Sequence, residues 1–141
     1  MSFAERRVIK MKIEKVLIIE DSTTKYMDIY KYLKKKGIPV IEHTRNAEDA
    51  LVSVESFQDN KPYDLIISDM HFNYFGEDNR EAGERTMALF HEKGYDISTI
   101  FCSSQNWKIP GAIGNIFYNP RRDWEFEADK LFDELRIDNE K

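Results

Sequence analysis

Two apolar stretches decide the fold of this chain: VLIIED at residues 16–21 and LIISD at residues 65–69. Each is a short, continuous run of aliphatic residues that ends at an acidic residue, which is typical of a parallel strand buried on both faces. Ligands bind at the carboxyl edge of such a sheet, where neighbouring strands end side by side. If these strands are neighbours, we expect Glu20, Asp21 and Asp69 to form one acidic pocket.

Helical and strand patterns alternate along the rest of the chain. Apolar residues at helical spacing predict helices at residues 22–37, 46–57, 80–93 and 124–135. Apolar runs predict further strands at residues 38–42, 99–102 and 115–118, and residues 70–79 are expected to be irregular. Strands that alternate with helices predict an α/β fold, in which a parallel sheet carries helices on both faces through right-handed crossovers.

Composition limits the size and class of the protein. Its 141 residues, 41% hydrophobic and 33% charged, are enough for one compact domain with a real core. The 21 basic and 26 acidic residues are mostly interspersed, so we expect neither nucleic acid nor an anionic membrane as a partner. No apolar run approaches the ~20 residues that span a bilayer, and we expect a soluble, cytoplasmic protein. Residues 1–12 are charged and weakly patterned, which predicts an N-terminal extension before a domain at 13–141.

The chain resembles the receiver domains of response regulators, which are the phosphoacceptor domains of bacterial two-component signalling. The resemblance extends over roughly residues 12–141 and rests on the acidic residues at the ends of the first and third strands. It implies a doubly wound sheet of five parallel strands in the flavodoxin-like order 2-1-3-4-5. It also implies a phosphoprotein whose partner is a histidine kinase or a phosphotransfer protein.

The resemblance assigns a role to each residue of the expected pocket. Asp69 matches the phosphoacceptor, and Ser103 matches the hydroxyl that contacts the phosphoryl group. Mg²⁺ is the implied cofactor, with Glu20, Asp21, Asp69 and the backbone carbonyl of Phe72 as its ligands. A carboxylate is a suitable nucleophile for phosphoryl transfer, but attack on an anionic donor requires charge neutralisation, which the divalent ion supplies.

One departure from the family concerns a lysine. The fifth strand of a receiver is normally followed by Lys-Pro, and this chain has Asn119-Pro120. Asn119 can donate a hydrogen bond to a phosphoryl group, but it carries no charge. Arg121, Arg122 and Lys108 are the cations that we considered as replacements.

Two connections also depart from the family. Residues 70–78 form a longer, aromatic and acidic segment, which either covers the pocket or binds a partner. Only fifteen residues lie between Ser103 and Asn119, so we expect the fourth helix of the family to be short or absent. Receivers often use that region to form homodimers or to bind targets. A homodimer is therefore possible here, and the output target stays unidentified.

Three functions are compatible with these residues. The leading hypothesis is a stand-alone receiver that is phosphorylated on Asp69 and signals through protein contacts, without enzymatic turnover beyond its own phosphorylation. The alternative is a degenerate receiver that works as a phosphorylation-independent interaction module. A Mg²⁺-dependent phosphohydrolase is the third. Hydrolases of the haloacid dehalogenase type have a second aspartate two residues after the nucleophile, where this chain has His71.

Overall fold

The strands and helices follow the predicted alternation. The computed structural model describes residues 11–57 and 61–137. Its strands are β1 (Lys15–Ile19), β2 (Val40–Thr44), β3 (Leu65–Ser68), β4 (Phe72–Tyr74), β5 (Glu77–Asn79), β6 (Ser98–Ser103) and β7 (Gly114–Phe117). Its helices are α1 (Thr23–Lys35), α2 (Ala47–Glu55), α3 (Ala82–Glu92) and α4 (Trp124–Leu135). The predicted extension at residues 1–12 lies almost wholly outside the described residues, and that division of the chain stays a prediction.

The main sheet has five parallel strands in the order β2-β1-β3-β6-β7. Strands β4 and β5 form a separate antiparallel hairpin. Without the hairpin, the order of the sheet reads 2-1-3-4-5, so the predicted doubly wound, flavodoxin-like α/β fold is confirmed.

The register of the two central strands places their acidic ends together. Val16 pairs with Leu65, and Ile19 pairs with Ser68. The amide of Asp69 then donates a hydrogen bond of 2.9 Å to the carbonyl of Ile19. Both strands therefore end at the same level, which is the condition for a shared acidic pocket.

The core has two halves, one on each face of the sheet. Alternate residues of β1 point to opposite faces, as the period of a strand requires. Val16 and Ile18 pack with residues of α1 and α4, whereas Leu17 and Ile19 pack with residues of α2 and α3. All four side chains are 1% exposed or less. At about 1.5–3 kcal/mol for each buried aliphatic side chain, this strand alone stabilises the fold substantially.

Capping residues set the start of the helices as the sequence predicts. The Ser22 hydroxyl accepts a hydrogen bond from the amide of Lys25, and the Asn46 side chain accepts one from the amide of Asp49. These bonds satisfy amides that have no partner within the helix. Helix α1 ends before Gly37, whose φ of 83° lies in the left-handed region that glycine favours.

The strand predicted at residues 38–42 is shifted by two residues in the structure. Ile38 is buried beneath the end of α1, and its amide donates to the carbonyl of Leu33. It therefore closes the helix, a common hydrophobic contact at helix ends, and β2 begins only at Val40.

The expectation of an irregular segment at residues 70–79 was wrong, because these residues form the β4–β5 hairpin. Phe75 and Gly76 make its two-residue turn with φ angles of 50° and 92°. Positive φ at both positions is the conformation of a type I′ turn, one of the two favoured turns of two-residue hairpins. The Asn73 side chain holds the turn by accepting a hydrogen bond from the amide of Gly76.

The connection between β6 and β7 contains no helix, since residues 104–113 are turns and extended chain. The prediction that the fourth helix of the family is short or absent is confirmed for this described segment. Among the helices that the structure describes, none is long and apolar enough to span a bilayer.

Candidate functional site

The three predicted acidic residues meet at the carboxyl edge of the sheet. One carboxylate oxygen from each of Glu20, Asp21 and Asp69 lies within 4.8 Å of the other two. Glu20 is 1% exposed, whereas Asp21 is exposed to solvent. Buried negative charge of this density needs a cation or a proton, because desolvation of a lone carboxylate is costly.

Lys25 supplies a positive charge to this cluster. Its Nζ lies 2.9 Å from Glu20 Oε1 and 3.1 Å from Asp69 Oδ1, and it donates a hydrogen bond of 2.6 Å to the carbonyl of Cys102. The Lys25 side chain is only 14% exposed. Its ammonium also lies 5.4 Å from the ring centroid of Tyr118. One lysine of α1 thus joins the ends of β1, β3 and β6.

The sequence analysis missed Lys25, although a signal was available. The first turn of α1 contains no acidic residue and carries Lys25 instead. A cation there opposes the positive end of the helix dipole, so an uncompensated lysine at this position is unfavourable. The acidic ends of the two strands compensate it.

Burial and charge together set the protonation of this pair. Burial, opposed by the Lys25 ammonium and reinforced by the Asp69 carboxylate, raises the pKa of Glu20 to about 7. Burial by itself lowers the pKa of Lys25, but the acidic groups around it, including Glu20 and Asp69, raise this pKa above its ordinary value. Lys25 is therefore a cation at neutral pH.

The neighbouring backbone holds the Asp69 carboxylate in place. Its Oδ1 accepts a hydrogen bond of 2.8 Å from the amide of Met70, and its side chain is 18% exposed. Helix α3 approaches this peptide closely at Gly83, whose amide donates 2.9 Å to the carbonyl of Met70. A Cβ at Gly83 would lie 2.3 Å from the carbonyl oxygen of Asp69. Only glycine permits this approach, which fixes the backbone of Asp69.

An open cavity of about 730 Å³ lies beside Asp69. Residues at or after the ends of β1, β3, β6 and β7, and residues of α1, line it, among them Glu20, Lys25, Asp69, Ser103, Trp107 and Tyr118. Exposed residues of the hairpin side, including His71, Asp78 and Arg80, also line it. The cavity is large enough for a phosphoryl group and for part of the molecule that donates it.

Ser103 is the last residue of β6 and is 4% exposed. Its Oγ accepts hydrogen bonds of 3.1 Å from the amide of Gln105 and from the indole Nε1 of Trp107. A hydroxyl that accepts two bonds still has its own proton to donate. Ser103 can therefore donate to a ligand in the cavity, and its contact with a phosphoryl group stays a prediction.

Comparison with solved structures identifies this fold. The response regulator TrrA from Thermotoga maritima, solved with Mg²⁺ and beryllium fluoride, is 19% identical with a TM-score of 0.62, and the match covers 84% of this chain and 99% of that chain. A Carboxydothermus hydrogenoformans response-regulator domain is 22% identical with a TM-score of 0.63, over 87% and 94% of the two chains. A complex of TrrA with the histidine kinase ThkA also matches, at 19% identity and a TM-score of 0.59, over 84% and 98%.

This chain has the receiver fold. By sequence alone, no family model matches it and no curated protein is significantly similar to it.

In this receiver fold, Asn119 is engaged in a turn. Its Oδ1 accepts a hydrogen bond of 2.9 Å from the amide of Arg121. The lining of the described cavity includes neither Asn119 nor any of the proposed replacements Arg121, Arg122 and Lys108. The Arg122 guanidinium lies instead 5.2 Å from the ring of Phe117. Within the described chain, the cation beside Asp69 comes from α1.

Phe72 begins β4 and its side chain is fully buried in the core. Among the described residues, the cavity wall at this point consists of Met70 and His71 and does not include Phe72. A metal-ligating role for the carbonyl of Phe72 stays a prediction.

The β4–β5 hairpin borders the cavity at its base and is exposed at its tip. At the base, His71 Nε2 lies 2.9 Å from Asp78 Oδ1, and both residues line the cavity. At the tip, the amide of Phe75 donates to the Glu48 carboxylate, while the Phe75 side chain is 47% exposed. The sequence left two roles open for this segment, namely to cover the pocket or to bind a partner. With its base at the cavity and its tip exposed, one hairpin is compatible with both roles.

The donor set of the acidic cluster fits a magnesium ion. Three carboxylates within reach of one another are the oxygen ligands that this ion prefers. The backbone at Asp21 is also held in place, because the Arg45 guanidinium donates hydrogen bonds to the Asp21 carbonyl and to the Thr23 hydroxyl. Lys25 contacts two of the same carboxylates, so it neutralises charge that a metal ion would also neutralise.

Proposed function

We propose that this protein is a receiver that accepts a phosphoryl group on Asp69 and signals through protein contacts. The observation that carries the proposal is the meeting of Glu20, Asp69 and Ser103 around one cavity at the carboxyl edge of a receiver fold. A nucleophile, a site of charge neutralisation and a hydroxyl donor are the groups that phosphoryl transfer requires.

The proposed reaction is a direct displacement at phosphorus. A carboxylate oxygen of Asp69 forms a bond to the phosphorus of a phosphohistidine, and the phosphorus–nitrogen bond breaks. The electron pair of that bond leaves with the imidazole, and the product is an aspartyl phosphate. With an acyl phosphate as donor, a phosphorus–oxygen bond breaks instead and a carboxylate leaves.

The chain's own residues orient this reaction. Asp69 is fixed by the amide of Met70, and the Ser103 hydroxyl is available to a phosphoryl oxygen. Glu20, Asp21 and Asp69 would hold Mg²⁺, which supplies charge neutralisation to the phosphoryl oxygens when it is bound.

The proposed donor is a histidine kinase or a phosphotransfer protein. The structure of TrrA with the kinase ThkA supports this choice, because that protein shares the fold of this chain and is seen with a kinase. We further propose that the output is a change in protein contacts at the surface near the cavity, since the base of the hairpin and the helix-free β6–β7 connection both line the cavity beside Asp69.

Intact-mass spectrometry after incubation with acetyl phosphate and Mg²⁺ tests the proposal. We expect one phosphoryl adduct on the wild-type protein and none on Asp69→Asn. Asp78→Asn is the matched control, because Asp78 lines the same cavity but is an exposed residue of the hairpin. It should retain the adduct. An unmodified wild-type protein with a native circular dichroism spectrum would contradict the proposal.

A second candidate function is a phosphorylation-independent interaction module. The observation that favours it is the ion pairing of Lys25 with Glu20 and Asp69 before any modification, together with the engagement of Asn119 in a turn. Such a module would bind its partner equally well as wild-type protein and as Asp69→Asn. A phosphorylation-dependent partner would distinguish the two variants.

A further inference from the structure

The Lys25 ammonium occupies a position from which it can reach a group attached to Asp69. It lies 3.1 Å from Asp69 Oδ1, which is the carboxylate that would carry the phosphoryl group. An ammonium has three hydrogen-bond donors on a flexible stem. A phosphoryl oxygen bonded to Asp69 would therefore come within reach after a small movement of the Lys25 side chain.

The surroundings of Lys25 favour a functional role over a simple surface ion pair. Surface lysines keep their ammonium in water, whereas this side chain is 14% exposed and contacts three elements at once. A buried ion pair stabilises a fold weakly or not at all compared with apolar residues of similar size. The presence of an ammonium in this pocket is therefore poorly explained by stability alone.

Other cations near the cavity are less well placed. Arg80 lines the cavity with an exposed side chain, and the Arg45 guanidinium is bonded to the Asp21 carbonyl and the Thr23 hydroxyl. Among the described residues that line the cavity, Lys25 is the cation in contact with Asp69, and its side chain is mostly shielded from solvent.

We propose that Lys25 of α1 is the phosphoryl-binding cation of this site and that it competes with the divalent metal for the acidic cluster. It replaces, from a helix, the charge that Asn119, which follows β7, does not provide. In the unmodified protein it neutralises Glu20 and Asp69, and in the modified protein it binds an oxygen of the phosphoryl group. This inference rests on the proposed role of Asp69 as phosphoacceptor.

The proposal predicts two effects of opposite sign for Lys25→Met. Affinity for Mg²⁺ should rise at least tenfold, because the ammonium no longer shares the carboxylates of Glu20 and Asp69. Affinity for beryllium fluoride, a phosphoryl analogue, should fall at least tenfold at saturating Mg²⁺, because the cation that binds it is gone. Lys25→Arg keeps the charge in a larger, planar group, and we expect its affinities to lie between those of the wild type and Lys25→Met.

Isothermal titration calorimetry with Mg²⁺, and then with beryllium fluoride, measures both effects without any phosphotransfer. Lys31→Met is the matched control, since Lys31 lies on the exposed face of the same helix. It should leave both affinities unchanged. Unchanged affinities in Lys25→Met, a fall in Mg²⁺ affinity, or a wild-type protein that does not bind beryllium fluoride would each overturn the inference. If Lys25→Met does not fold, the two affinities of Lys25→Arg are compared with those of the wild type instead. Unchanged affinities in Lys25→Arg would then overturn the inference.

Failure of this inference is distinguishable from failure of the proposed function. An acetyl phosphate adduct on the wild type, with equal beryllium fluoride affinity in Lys25→Met, would remove the role of Lys25 and retain the receiver. An absent adduct, with analogue binding that depends on Lys25, would retain the phosphoryl-binding cation and remove the phosphoacceptor.

Discussion

Replacement of Gly83 by alanine tests how tightly helix α3 fixes Asp69. The added Cβ would lie 2.3 Å from the carbonyl oxygen of Asp69 and 2.8 Å from Cε1 of Phe101. An ordinary contact begins at 3.4 Å, so the helix must move by roughly 1 Å. A backbone carbonyl cannot rotate away as a side chain does. The movement also weakens the hydrogen bond from the amide of Gly83 to Met70.

These effects set the expected loss of stability. Overpacking costs about 1–3 kcal/mol or somewhat more, and the weakened hydrogen bond adds about 1 kcal/mol. The higher helix propensity of alanine offsets this loss of stability by at most about 1 kcal/mol. Together these contributions give about 1–3 kcal/mol, and because the added Cβ meets a backbone carbonyl we expect Gly83→Ala to lower the free energy of unfolding by about 3 kcal/mol, at the upper end of this range.

Urea denaturation followed by circular dichroism measures this loss. We expect the slope of the free energy of unfolding against urea concentration to stay unchanged. Gly94→Ala is the matched control. A Cβ at Gly94 meets no atom within 4 Å, but its φ of 91° makes alanine unfavourable by about 1–2 kcal/mol. If Gly83→Ala lost no more stability than Gly94→Ala, the close approach of α3 to Asp69 would be refuted.

Three further predictions concern the site and its surroundings. Asp21→Asn should lose both Mg²⁺ affinity in calorimetry and the acetyl phosphate adduct in mass spectrometry, and retained Mg²⁺ binding would contradict the acidic pocket. The Cys102 thiol should react with a disulfide reagent at pH 8 at least a hundredfold more slowly in the native protein than in denaturant, because burial raises its pKa to about 12 and leaves almost no thiolate. Fast native reaction would show that the thiol is accessible. Tyr118→Phe should lower the free energy of unfolding by about 1.5–3 kcal/mol, because it removes a 2.6 Å hydrogen bond to the Asp28 carboxylate. The same loss in an Asp28→Ala background, which has no acceptor for the Tyr118 hydroxyl, would show that the two residues do not interact.

The fold was largely predictable because apolar periodicity reports burial directly. The aliphatic runs of β1 and β3 are buried throughout, as continuous apolar sequence predicts for strands covered on both faces. Strand β2 was shifted because Ile38 is equally suited to a strand and to the closing contact of a helix. The hairpin was missed because its turn has Phe75 instead of the asparagine or aspartate that usually precedes glycine there.

The acidic part of the site was predictable for a similar reason, since residues that end neighbouring parallel strands meet at one edge. Glu20, Asp21 and Asp69 need only the strand order to come together. The position of Lys25 depends on the length and direction of a side chain on α1, which apolar periodicity does not report. Arg121, Arg122 and Lys108 were the candidate replacements because they lie near Asn119 in the chain, and only packing shows that Lys25 is the cation beside Asp69.

Borohydride reduction of the acetyl phosphate-treated protein, followed by peptide mass spectrometry, tests the central claim most directly. Borohydride converts an aspartyl phosphate to homoserine and leaves free carboxylates unchanged. A working receiver should show homoserine at position 69 after treatment with acetyl phosphate and Mg²⁺, and aspartate there without the donor. Aspartate at position 69 in both samples, or homoserine at another acidic position such as 21 or 78, would contradict the assignment of Asp69 as the phosphoacceptor.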